Sequence, residues 1–277
     1  MKKQKLGHDI VFFYMPLCLL VIFAVFPYIW TFITSIKPEA ELYAPTVKYF
    51  VKNPTFDNYR NLFQKTNFLH NLVNSFLVAG ITSVISLFVS VMAAYAFARF
   101  NFRGKLFFMV SFLLINMFPS VLLLIPLFTI MRKVGLLYTP LSLVIAYSTF
   151  TIPFSVWLLT GYIRDLPVSL EEAAMVDGCN RFQAFMRITL PLIIPAIIAT
   201  GIYIFITAWN EFIFALMFTN EATRTLPVAL QTFIGQFDIQ WGLLTAGGVV
   251  ATIPVVVMFM FIQKKLVEGL TAGAVKG

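Results

Sequence analysis

The chain has 277 residues, of which 60% are hydrophobic and 12% charged, against roughly 25% charged in an ordinary soluble domain. With a mean hydropathy of +0.87, this excludes a soluble globular protein. The net charge of +8 would suit nucleic acid only if the basic residues clustered on one surface; they fall instead in short groups between apolar runs, which is the pattern of membrane topology.

The N-terminus, MKKQKLGHDI, precedes an apolar run from Val11 to about Thr34. That run is longer than the roughly 7–15 residues of a cleavable signal core and lacks a small-residue cleavage site, so it reads as a retained first helix. A crossing of the hydrocarbon needs about 20 residues, and six segments meet that length: about 11–34, 72–98, 107–131, 138–163, 190–218 and 243–263. Each spanning segment has to satisfy its own backbone hydrogen bonds. The predicted fold is therefore an all-α membrane protein of six transmembrane helices.

Six spans place both termini on one side. That side holds 12 basic residues, among them Lys2, Arg99, Arg103, Lys105, Arg164 and Lys264, and the other side holds 8, including Lys37, Arg60 and Arg132. The positive-inside rule then predicts that both termini are cytoplasmic. Cys18 falls in a span and Cys179 in a polar loop, at different depths, so neither a disulfide nor a metal site is expected.

The second span carries Ser75, Ala79 and Ser83 on one row and Ser86, Ser90, Ala94 and Ala98 on another. Small residues four apart let a neighbouring helix approach closely, within this chain or in another subunit. Pro119, Pro126, Pro153, Pro195 and Pro254 fall inside spans and predict kinked helices.

Between the fourth and fifth spans, residues 164–191 are too polar to cross and well punctuated for a helix-turn-helix. Ser169 is placed to cap the first helix, with Glu172 as its capping-box partner, and Gly178 sits where a left-handed residue ends it. Asn180 and Gln183 repeat the cap for a second helix, which Pro191 disturbs near the membrane. Met175, Val176, Phe182, Phe185 and Met186 add apolar surface, so this cytoplasmic pair is suited to a partner.

The string Glu172-Ala173-Ala174, then Gly178, then Ile188, Leu190 and Pro191 resembles the EAA loop of permease subunits of binding-protein-dependent ABC importers. The stretch 70–265 resembles the permease core, between residues 1–69, which hold the N-terminal tail, first helix and a long external loop, and a C-terminal tail at 266–277. The ending GLTAGAVKG and Trp209-Asn210-Glu211-Phe212 are similar to the MalG-like subunits of carbohydrate importers.

The resemblance implies an ABC type I importer permease in the cell membrane, with Glu172 both starting the loop's first helix and forming part of the docked surface. It implies as partners a second, MalF-like permease subunit, two ABC ATPase subunits that use ATP and Mg, an extracytoplasmic sugar-binding protein, membrane lipid and a carbohydrate substrate. No cofactor, catalytic residue or nucleic acid is expected for this chain.

Glu211 is acidic inside a predicted span, a costly placement that points either to the translocation path or to pairing within the bundle. Trp209 and Asn210 are candidates for the same path, although in the family sugar contacts can lie mainly on the partner permease. The external segment from Asn220 to Trp241, with Thr225-Leu226-Pro227-Val228, either touches the binding protein or covers the bundle's outer end. Alternative functions are a permease for another solute class or an intramembrane enzyme. The sequence carries no P-loop and no HExxH pattern for its two histidines, His8 and His70.

Overall fold

The computed structural model describes residues 10–46 and 48–274. Lys2, Lys3, Lys5, His8 and Lys276, on which part of the sequence reading rests, lie outside them. Among the described residues the regular structure is helical, apart from one isolated antiparallel bridge between Ile234 and Ile239.

A π-helical turn, Ile10–Tyr14, leads into α1 (Met15–Ser35), followed by α2 (Glu39–Leu42), α3 (Asp57–Lys65) and α4 (Phe68–Arg99). Next come α5 (Lys105–Met117), a 3-10 turn (Ser120–Leu123), α6 (Leu124–Lys133) and α7 (Pro140–Arg164). The polar loop contributes α8 (Ser169–Val176), α9 (Arg181–Ala184), a π-helical turn (Phe185–Thr189) and α10 (Leu190–Leu192). The chain continues through α11 (Ile194–Asn210), α12 (Ile213–Phe218), α13 (Leu226–Gln231) and α14 (Trp241–Ala274).

Four helices are long and apolar enough to cross a membrane unbroken, and two bent pairs bring the candidate crossings to six. The bent pairs correct the expected third and fifth spans. The third bends by 101° between Met117 and Ser120, because Phe118 precedes Pro119 and is extended, with ψ 136°. The fifth bends by 73° between Leu192 and Ile194, and its helix then stops at Asn210, with Glu211 extended at ψ 129°. Pro195 sits in the first turn of α11, where its fixed φ suits a restarting helix. The last helix continues to Ala274, well past the predicted end near 263.

The chain divides into two compact units, one ending at Leu69 and including Leu230–Pro254, the other formed by His70–Ala229 with the segment from Val255. In the first unit, the buried Asn58 amide donates to the carbonyls of Ser35 and Lys37, both at 2.8 Å. The Lys37 ammonium donates to the Lys48 carbonyl at 2.7 Å and lies 4.7 Å from the Trp30 ring centre. The Asn58 bond to Ser35 satisfies a carbonyl at the end of α1 that has no intrahelical partner.

In the second unit, α4 packs along α7 through the small residues. Ser75, Ala79, Ser86, Ser90 and Ala94 are buried; Ser86 bonds Ser148 and Thr151, and Ser90 the Ile152 carbonyl. The stripe thus serves packing within the chain. Gly201 of α11 lets Leu87 of α4 come so close that an added Cβ would lie 2.8 Å from its Cδ1. Near the start of α4, Ser75 accepts from the Leu226 N–H at 2.7 Å, and Asn74 donates to the Ala222 and Arg224 carbonyls. Thr225, Leu226 and Val228 are buried in consequence.

Candidate functional site

The polar loop folds as two short helices, as its punctuation predicts, but it starts differently. The N-cap position of α8 is Val168, and the Ser169 hydroxyl makes no cap bond. Pro167 starts the turn early: its carbonyl accepts from Leu170, and that of Val168 from Glu171 and Glu172. The expected Ser169–Glu172 capping box therefore does not form, and Glu172 is exposed with its carboxylate unpartnered.

The end of α8 follows the prediction. Gly178 has φ +92°, its N–H bonds the Met175 carbonyl at 3.1 Å, and the Cys179 N–H bonds that of Ala174 at 3.0 Å. These are the two bonds of a Schellman cap. An added Cβ at Gly178 would meet nothing within 4 Å, so Gly178→Ala is opposed by backbone conformation alone. The expected cost is about 1–2 kcal/mol, read as a lower unfolding temperature of the purified protein; Gly178→Asn should lose less, since Asn tolerates the left-handed region. Asn180 and Gln183 form the predicted capping box at α9, both bonds at 2.9 Å.

The loop is fastened by a residue that motif reading passes over. Glu171, beside Glu172 but buried, accepts on Oε1 from Arg99 Nε at 2.7 Å and from the Thr189 hydroxyl at 2.6 Å, and on Oε2 from Tyr95 at 2.9 Å. Arg99 Nη2 also donates to the Leu166 carbonyl at 3.1 Å. It is the one ion pair among the described residues, with both side chains about 5% exposed. Burial pushes the Glu171 carboxyl up, but donation from Thr189, Arg99 and Tyr95 outweighs it and holds the group below its ordinary value. The sequence did carry a signal: Glu171 shares a helix face with Ala174, three residues on, while Glu172 shares one with Val176.

Around this network lies a core from three parts of the chain: Val91, Ala94 and Tyr95 of α4, Leu159 and Ile163 of α7, and Phe185, Ile193 and Ala196 of the loop and α11. Tyr95 packs on Phe185 with ring centres 4.5 Å apart, and the Arg181 guanidinium lies 5.0 Å from the Phe100 ring centre. Of the other motif residues, Ala174 is buried, Ile188 and Leu190 are half-buried, and Ala173 and Pro191 are exposed. Glu172, Ala173, Val176 at 87% exposure and Phe182 at 61% leave an acidic and apolar surface on a firmly seated helix pair.

The fifth-span candidates separate. Trp209 is buried, stacked on Phe205 at 5.6 Å and edge-on to Phe76 at 4.8 Å. Glu211 accepts from the N–H groups of Phe214 and Ala215 at 2.9 and 3.0 Å, capping the start of α12 and so satisfying the acid inside the chain. Asn210 is exposed. Among the described residues, no cluster of His, Cys, Asp and Glu could hold a metal ion.

Residues 86–271 match the family described as binding-protein-dependent transport system inner membrane component. The chain is 41% identical over 262 residues to the trehalose transport system permease protein SugB of Mycobacterium tuberculosis, covering 94% of this chain and 95% of that one. It is 38% identical over 260 residues to the sulfoquinovosyl glycerol transport system permease protein SmoH of Agrobacterium fabrum, covering 94% and 91%. Among solved structures, it resembles a chain of a bacterial ABC transporter involved in the import of the acidic polysaccharide alginate, with TM-score 0.79, 26% identity and coverage of 93% and 97%. The match spans both bent pairs and the fastened helix pair between α7 and α11, and the chain belongs to the inner membrane components of binding-protein-dependent transport systems.

Proposed function

We propose that this chain is a permease subunit of an ATP-driven carbohydrate importer and that residues 164–191 receive the ATPase stroke. The carrying observation is the exposed Glu172, Ala173, Val176 and Phe182 surface on a helix pair that Glu171 ties to Arg99 of α4. A surface that docks a motor must be accessible, and its mount must be stiff enough to pass displacement on. Here the mount reaches α4 through the ion pair and α7 and α11 through the core.

The names of the relatives, a trehalose permease and a sulfoquinovosyl glycerol permease, support a glycoside as the solute, a sugar joined to a second sugar or to a small alcohol. Two ABC ATPase subunits would hydrolyse Mg-ATP, and a second permease subunit would complete the pathway. The distribution of basic residues supports a cytoplasmic position for both termini and for residues 164–191. The extracytoplasmic binding protein would then meet the external segment 220–241, in which Phe237 is 94% exposed.

Reconstitution tests this reading. The purified chain should hydrolyse no ATP, whereas its complex with the ATPase and the second permease should show hydrolysis stimulated by binding protein loaded with sugar. Stimulation by empty binding protein alone, or by a non-carbohydrate ligand, would refute the solute assignment.

A further inference from the structure

Two adjoining hollows lie between the end of α7 and the start of α5. One, of about 340 Å³, is lined by Trp157, Leu158 and Tyr162 of α7 together with Met109 of α5 and Arg164. The other, of about 440 Å³, is lined by Phe102, Lys105 and Leu106, and again by Met109 and Arg164. Met109 and Arg164 join them into one groove whose floor is apolar and whose end is cationic. Gly161 lines the first hollow, and an added Cβ there would meet no atom within 4 Å, so the groove has room along the helix face.

The charge at the end of the groove is not consumed by the chain. The Arg164 guanidinium is exposed and makes no ion pair or hydrogen bond; Asp165, which also lines the first hollow, does not pair with it. Lys105 donates only to the Phe100 carbonyl, at 3.0 Å. A soluble anion would use the two cations and leave the apolar floor wet, and an uncharged acyl chain would leave the cations unanswered. The outward side chains beside the groove, Leu106 at 76% and Phe107 at 70% exposure, make it continuous with the apolar outer surface of α5.

We propose that this groove is a binding site for an anionic glycerophospholipid, whose phosphate lies between Arg164 and Lys105 and whose acyl chain runs over Met109, Leu158 and Trp157. Basic pockets between membrane helices recognise acidic headgroups in this way. The site depends on the proposed orientation only in belonging to the cytoplasmic leaflet. A topology error would move the lipid to the other leaflet and leave binding intact.

The test is lipid retention by the assembled complex, measured by native mass spectrometry after exchange into detergent with added phosphatidylglycerol or phosphatidylcholine. Wild type should retain phosphatidylglycerol selectively. The Arg164→Gln/Lys105→Gln variant should lose roughly thirtyfold in retention, as the loss of two headgroup cations implies, and Arg132→Gln/Lys133→Gln, at the far end of α6, should lose none. A photoactivatable phosphatidylglycerol, which needs no variant, should label peptides containing Met109 or Trp157. Equal retention of both lipids, unchanged retention in the double variant, or labelling confined to other helices would overturn the proposal. So would competition by soluble glycerophosphoglycerol as strong as that of the intact lipid, because the acyl groove would then contribute nothing.

Discussion

Glu171→Ala is expected to destabilise the permease by about 3–5 kcal/mol, the range for removing one partner of a buried ion pair. The loss exceeds one contact because it strands Arg99, whose side chain is about 5% exposed, and removes the acceptor for Tyr95 and Thr189. Arg99→Ala should cost a similar amount, and the double variant clearly less than both together, since the second change removes a group already stranded. Thermal unfolding of the four purified proteins measures this cycle; additive losses would show that the pair is not a unit. Uptake should fall further than ATP hydrolysis in Glu171→Gln, because the loop would still dock while its tie to α4 is weakened.

The same carboxylate sets a pH limit. Its folded pKa lies below the unfolded value, so its contribution is complete above the unfolded pKa of about 4.3 and is lost as pH falls through the folded pKa. Unfolding temperature should therefore be insensitive to Glu171 titration between about pH 6 and 8 and should fall on acidification below about pH 4.3. In Glu171→Gln that acid-dependent step should be reduced relative to wild type.

Glu172→Lys should show the opposite division between folding and function. Glu172 is exposed and its side chain bonds nothing in this chain, so reversal should change stability by no more than about 0.5 kcal/mol. Against a docked motor, a misplaced charge at a desolvated contact costs about 2–5 kcal/mol, enough to reduce coupled uptake to a few per cent or less. Membrane insertion and unfolding temperature should remain normal. Uptake at the wild-type rate would remove Glu172 from the docking surface, and a matching loss of stability would make its role structural. Adjacent glutamates are thus expected to differ in kind, the first failing by unfolding and the second by uncoupling.

Several features were legible in the sequence because their causes are local. Apolar length predicted the membrane helices, since lipid leaves a spanning backbone no other way to satisfy its polar groups. Gly178 and the Asn180–Gln183 pair marked a helix end and a helix start through bonds within a few residues. Pro119 and Pro195 marked disturbed helices, although where the chain bends, and by 101° or 73°, depends on how the pieces pack afterwards.

The remaining features depend on competing turns nearby or on partners far along the chain. Ser169 has the right chemistry for a cap, but Pro167 starts the turn before it. Glu211 stayed open between the path and pairing within the bundle because the helix break that frees the Phe214 and Ala215 N–H groups is not evident from hydropathy. Trp209 became a core residue through Phe76, on a different helix. By itself the sequence determined an all-helical membrane chain with a punctuated polar loop, through hydrophobic length and short-range capping. Only the tertiary structure decided which glutamate of the pair is the fastening and which the free surface, because burial of Glu171 required Tyr95 and Arg99 of α4 and Thr189 of the π-helical turn to converge on one carboxylate from distant parts of the chain.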